Sequence, residues 1–93
     1  MAVPITAGGG GALLKDIEYI YAVYKERSFS KAARRLFISQ PSLSAAVKRV
    51  EQELGLPLFN RSTNPVSLTA AGEYYIKSAE KTMEIERAMR AHL

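Results

Sequence analysis

The stretch "LFISQPSLSAAVKRVEQELGLP" constrains the fold more than any other part of the chain, because it fixes where one helix starts, where it stops and how closely it follows another. Ser39 is a natural N-cap, and Pro41 falls in the first turn, where its missing N–H removes nothing the helix needs. Leu43, Val47, Val50 and Leu54 then recur at the spacing of one helical face. Gly55 can take the left-handed conformation that closes a helix, Leu56 supplies the accompanying hydrophobic contact, and Pro57 forbids continuation. A helix from about Gln40 to Leu54 follows. Just upstream, Ser30 can cap a short helix with Ala33, Leu36 and Phe37 on one side, and the small Ala32 and Ala33 let a neighbouring backbone approach closely. Only a tight turn separates the two.

The rest of the chain has to fit around that pair. Leu13, Ile17, Ile20 and Tyr24, with Leu14 and Tyr21 beside them, predict an amphipathic helix ending near Arg27. In "LFNRSTNPVSL", β-favouring residues flank the turn formers Ser62 to Pro65, which predicts a short hairpin with Val66 and Leu68 facing inward. Thr69 caps a last helix, about 36 Å long if it reaches Leu93. Its apolar stripe of Tyr75, Ile76, Ala79, Met83, Met89 and Leu93 is more than short helices can cover, so part of it is expected to meet another chain. The fold class is therefore mainly α: a winged helix-turn-helix of three helices plus a short β-hairpin wing, then a long C-terminal linker and dimerisation helix. Residues 1–12, with their glycine run, read as a flexible leader or appended tail, 13–69 as the winged domain and 70–93 as the linker helix.

Charge narrows the function. The chain has 93 residues, enough for one small domain, and 47% hydrophobic with 24% charged residues is the mix of a soluble globular chain. The net charge of +4 is unevenly spread: from Arg27 to Val50 there are six basic residues and no acidic one. The final helix, by contrast, balances its bases with Glu73, Glu80, Glu84 and Glu86. A local acid-free surface over two helices favours nucleic acid as the partner over a merely solvated face. With no cysteine, disulfides and thiolate metal clusters are excluded. The lone His92 and the lack of a glycine-rich phosphate loop argue against an enzyme, and nothing calls for a metal or cofactor. No segment reads as a signal peptide or bilayer span, so no membrane is expected and the location is read as cytoplasmic.

In a winged helix-turn-helix the helix after the turn enters the DNA major groove led by its N-terminal residues, and the preceding helix bridges the backbone. Turning Leu43, Val47, Val50 and Leu54 inward leaves Pro41, Ser44, Ala45, Lys48 and Gln52 outward, flanked by Gln40, Ser42 and Arg49. Gln40 and Pro41 lead this outward face as candidate base readers, with Ser44 and Ala45 beside them as further candidates. The Gln40 amide can pair with adenine in bidentate fashion, for roughly 1 to 3 kcal/mol of discrimination, and Pro41 can touch a thymine methyl. Ser30 and Ser42 are capping residues that can also face phosphate, and Lys31, Arg34, Lys48, Arg49 and Arg61 are candidates for backbone contact or plain solvated charge. The acids Glu51 and Glu53 are confined to the last turn of the helix.

These residues resemble the DNA-binding domain of LysR-type transcriptional regulators. The likeness rests on Ser28-Phe29 with Ala32-Ala33, Ser39-Gln40-Pro41 with Ser44, Val50-Glu51 with Leu54-Gly55, Leu58-Phe59 with Arg61, and Leu68-Thr69 with Gly72, and spans about Leu14 to Met89. It implies base-edge contacts from Gln40, Pro41 and Ser44, phosphate contacts from Ser30 and Arg34, and a wing role for Arg61. Arg27, Ala45 and Asn64 depart from the family pattern, where glycine, a longer polar residue and a base are common. The resemblance also implies a regulator that continues into a ligand-sensing domain, so a small-molecule effector would act only through a domain absent from this chain, and a DNA-binding fragment is expected. A homodimer paired through the helix after Thr69, through Tyr75, Ile76, Ala79, Met83 and Met89, would match a double-stranded inverted-repeat operator, since twofold proteins suit twofold sites. Two other readings are a winged-helix protein-interaction module and a winged regulator of another family.

Overall fold

A computed structural model of the chain describes residues 9–93, with side chains from Leu13 onward. The elements run α1 (Gly9–Glu26), α2 (Phe29–Leu36), α3 (Gln40–Leu54), β1 (Phe59–Asn60), β2 (Ser67–Leu68) and α4 (Ala70–His92). α1 begins inside the stretch expected to be a flexible leader. Once a helix is nucleated each added residue gains a hydrogen bond, and a glycine costs only about 1 kcal/mol. The remainder of that leader, residues 1–8, lies outside the described residues.

α1, α2 and α3 pack around Ile20, Val23, Ala32, Ala33, Leu43, Val47 and Val50, and the core continues through Leu58, Phe59 and Ile76. Ala32 and Ala33 are buried, as the close approach of helices requires. Leu13 and Leu54, at the outer ends of their stripes, are 56% and 51% exposed.

Two details of α2 differ from expectation. Its N-cap is Ser28, whose hydroxyl accepts the Lys31 N–H at 3.2 Å, so Ser30 lies inside the first turn with its Oγ 3.1 Å from that of Ser28. The helix starts early because Phe29 is drawn into the body, where its ring meets Phe59 edge-on at 5.8 Å. At the other end Phe37 takes a left-handed backbone, φ 58°, with its N–H donating to Arg34 O at 3.2 Å and the Ile38 N–H to Ala33 O at 3.0 Å. That change of hand swings the ring off the face it was expected to share with Ala33 and Leu36, and Phe37 is 94% exposed. α3 closes by the same pair of bonds at Gly55 and Leu56, here with the glycine the geometry favours.

The hairpin pairs Phe59 with Leu68 and Asn60 with Ser67, antiparallel. Thr69 caps α4 as expected, accepting the Gly72 N–H at 3.0 Å while its hydroxyl donates to Pro57 O at 2.6 Å. The Thr69 N–H bonds Leu58 O at 3.0 Å. A methyl at Gly72 would run into that same carbonyl and come within 2.9 Å of the Leu68 side chain, so the first turn of α4 lies directly on the strand.

The apolar stripe of α4 is divided between two uses. Ile76 and Ala79 are buried within the chain and Tyr75 is half-buried, because this part of α4 lies against the core and α1. Ile76 and Ala79 are therefore taken up by the chain's own core, contrary to the expectation that they face a second copy, while Tyr75 keeps part of its surface open beside Tyr74. Met83 is half-buried and lines a shallow cavity with Leu14 and Ile17, while Met89 is 54% exposed. The opposite side of the helix carries the exposed Tyr74 and Ile85.

Candidate nucleic-acid interface

The leading end of α3 is built by its own cap. Ser39 accepts the Ser42 N–H at 3.2 Å, and its hydroxyl donates to Ser42 Oγ at 2.7 Å. Those bonds fix the first turn while Leu43 and Val47, fully buried, fix its rotation. Gln40, Pro41, Ser42, Ala45 and Lys48 are consequently exposed, with Ser44 half-buried beside them. The structure thus places the four expected base-reading positions along one side of one helix.

The neighbouring surface is cationic. Ser30, Lys31 and Arg34 are exposed on α2, and no carboxylate among the described residues pairs with Lys31, Arg34 or Lys48. Arg35 is different, donating to Glu26 at 3.0 Å.

Arg49 and Arg61 are committed to the fold in a way the sequence reading missed. Arg49 Nη2 lies 2.6 Å from Asp16 Oδ1, and Nη1 lies 3.2 Å from Glu53, which ties α3 to α1. Its hydrogen bond to the Asp16 carboxylate, together with that group's charge, holds the Arg49 guanidinium above its ordinary pKa. Arg61 donates to Glu51 at 3.0 Å, and its guanidinium carbon stands 4.9 Å from the Phe29 ring centroid. Glu51 itself is not on the outward face. It is buried, and its Oε2 accepts the Leu58 N–H at 2.7 Å and the Phe59 N–H at 3.3 Å. One carboxylate therefore joins the end of α3 to the start of the wing and orients the wing arginine. A signal was present: Glu51 stands four residues after Val47, and Asp16 four before Ile20, so each charge interrupts an apolar stripe.

The wing loop is ordered by its own polar side chains. Asn60 Oδ1 accepts the Ser62 N–H at 3.1 Å and its hydroxyl at 2.6 Å, and the Thr63 and Ser67 hydroxyls lie 2.9 Å apart. The Val66 N–H reaches back to Arg27 O at 3.2 Å, joining the wing to the turn after α1.

A capped helix pair joined by a tight turn, with a hairpin braced on the second helix, defines a winged helix-turn-helix domain carrying a helical arm. The chain belongs to the lysR family of bacterial regulatory helix-turn-helix proteins, whose model matches residues 14–73. Among its relatives, the HTH-type transcriptional regulator BudR of Klebsiella aerogenes is 47% identical over 75 residues, which is 81% of this chain and 52% of BudR. The fold is similar to that of the BenM DNA-binding domain in its crystal structure with catB site 1 DNA, at TM-score 0.81 and 37% identity, covering 85% of this chain and 89% of that one. BenM itself is a regulator of Acinetobacter baylyi. Full-length BenM aligns at TM-score 0.79 and 37% identity over 84% of this chain, which spans 26% of BenM. The chain therefore covers about half of BudR and a quarter of full-length BenM.

Proposed function

We propose that this chain is the DNA-binding part of a LysR-type transcriptional regulator, acting in the cytoplasm, with α3 in the major groove of double-stranded DNA. The carrying observation is the leading half of α3, where Gln40, Pro41, Ser42 and Ala45 are presented to solvent by a helix whose rotation is locked by Leu43 and Val47. Gln40, Pro41, Ser44 and Ala45 face base edges. Ser30, Lys31, Arg34, Ser42 and Lys48 meet phosphates, the cations supplying attraction that does not depend on sequence. Arg49 and Arg61 approach the backbone only with the guanidinium edge left free by their carboxylates. The likeness to a domain crystallised on its DNA site supports this assignment.

Two copies pair through α4 to read an inverted repeat, and the surface that suits this is Tyr74, Ile85 and Met89, the exposed apolar side of the helix. Any effector acts through a domain that the longer relatives have room for. The rival role, a protein-interaction module, draws on the apolar groove lined by Leu54, Leu56, Leu58 and Tyr74.

Selection of bound fragments from random duplexes, followed by titration across a salt series, separates the two. About six phosphate contacts give a slope of log K against log salt of roughly −5, whereas a helix-in-groove interface barely responds. Gln40→Ala is expected to relax base preference at one position, and Lys48→Ala to weaken all sequences alike while lowering the slope by about 1. Equal losses on selected and random DNA for both variants would contradict this division of labour.

A further inference from the structure

Phe37 departs from two local rules at once. It holds a left-handed backbone, φ 58° and ψ 39°, where glycine and asparagine meet least steric resistance, and its side chain is 94% exposed. The closure does not need a phenylalanine, since α3 ends with the same two backbone bonds at Gly55. Nor does the core use the ring: Phe29 and Phe59 pair inside, and Phe37 is outside the core cluster. A residue that favours neither its backbone conformation nor the packing around it points to a role outside the monomer.

Its surroundings indicate which partner. Phe37 stands two residues before Ser39, the cap of α3, and so at the end of the helix that leads into the groove. Arg34 is exposed one turn earlier on α2, and the sequence from Arg27 to Val50 contains no acid. The partner of such a surface is anionic yet offers an apolar face. A duplex backbone has this character, alternating charged phosphates with deoxyribose rings.

Resting on the DNA-binding reading above, we propose that Phe37 is a DNA-contacting residue: its ring packs on a deoxyribose at the edge of the groove entered by α3, beside the phosphate met by Arg34. The left-handed turn is what aims the ring outward, past the end of α2.

The test uses the whole chain and a duplex selected with the unmodified protein. Phe37→Asn removes the ring but keeps a residue suited to the left-handed backbone, so its melting temperature is expected to equal or exceed that of the parent. Its Kd for the duplex is expected to rise about tenfold with the salt slope unchanged, because an apolar contact releases no counterions. Phe37→Tyr, which retains a ring, is expected to bind within about twofold of the parent. Parental affinity in Phe37→Asn would overturn the proposal and hand the ring to a protein partner. A slope lowered by about 1 would overturn it too, since the loss would then be of a cation contact. If the unmodified chain bound no duplex at all, the DNA-binding reading would fall and this one with it; parental affinity in Phe37→Asn sinks only the present inference.

Discussion

Tyr75 illustrates how a single residue can be well placed by its ring and poorly placed by its hydroxyl. The ring packs against the core from α4, while the Oη is buried with no hydrogen-bond partner among the described residues. Burial, with a smaller contribution from the Asp16 charge, pushes the phenol up to about 12. An unfolded tyrosine releases its proton near 10, so between about pH 10 and 12 the folded chain binds more protons than the unfolded one. The associated stability is whole below pH 10 and is lost as pH climbs through 12. Tyr75→Phe is expected to gain about 1 kcal/mol near neutrality, by removing an unsatisfied buried hydroxyl, and to flatten the alkaline decline in urea midpoint between pH 9 and 12. An identical decline in both proteins would show that other groups cause it. Individual residues were read from the sequence with uneven success. The caps Ser39 and Thr69 were legible because their partners lie within three residues. The partners of Asp16 and Glu51 were not, since Arg49 is 33 residues from Asp16 and Arg61 ten from Glu51. Pattern alone signals a charge in an apolar stripe without saying what neutralises it.

Among the elements, α3 and the wing behave as one unit because a single carboxylate serves both. Glu51 accepts two backbone N–H groups of the segment entering β1 and pairs with Arg61. Glu51→Gln preserves shape but removes the charge and turns one acceptor into a donor. The expected cost is about 2 kcal/mol, a drop in melting temperature of roughly 8 to 16 °C for a domain of this size, with Arg61→Ala costing less than Glu51→Gln because it leaves the two backbone bonds in place. The reverse ranking would mean that the ion pair, and not the backbone bonds, holds the wing. Helices α3 and α4 matched their predicted spans closely, since a cap, a periodic stripe and, for α3, a Gly-Leu-Pro stop all agree there. α2 was displaced at its start because a tertiary contact, Phe29 against Phe59, decided between the two serines on either side of Phe29. The two-residue strands were legible as a turn flanked by β-formers, whereas their register, Phe59 opposite Leu68, and the packing of Leu68 beside Gly72 were not.

For the whole molecule the question is what α4 does beyond the body. Its buried half belongs to the monomer, through Ile76 and Ala79, and its other side exposes Tyr74, Ile85 and Met89, the face we propose for pairing with a second copy. Sedimentation at tens of micromolar is expected to show a dimer, and Ile85→Lys a monomer with an unaltered melting temperature for the winged body; a parent that sediments as a monomer would remove the twofold arrangement. The sequence disclosed one stripe where the folded chain has two faces, because helical periodicity counts apolar residues without saying which neighbour claims them.

The bare backbone at Gly72 has a mechanical meaning for this arrangement. With Leu58 O against it and Thr69 hydrogen-bonded to Pro57 on the adjoining turn, the root of the arm is seated directly on the strand, which favours one exit angle. If two copies pair through such arms as proposed, they would work as a caliper with one opening. DNA whose two half-sites are slid apart by half a helical repeat, about five base pairs, would present its second groove on the far side of the duplex, where a rigid jaw does not reach.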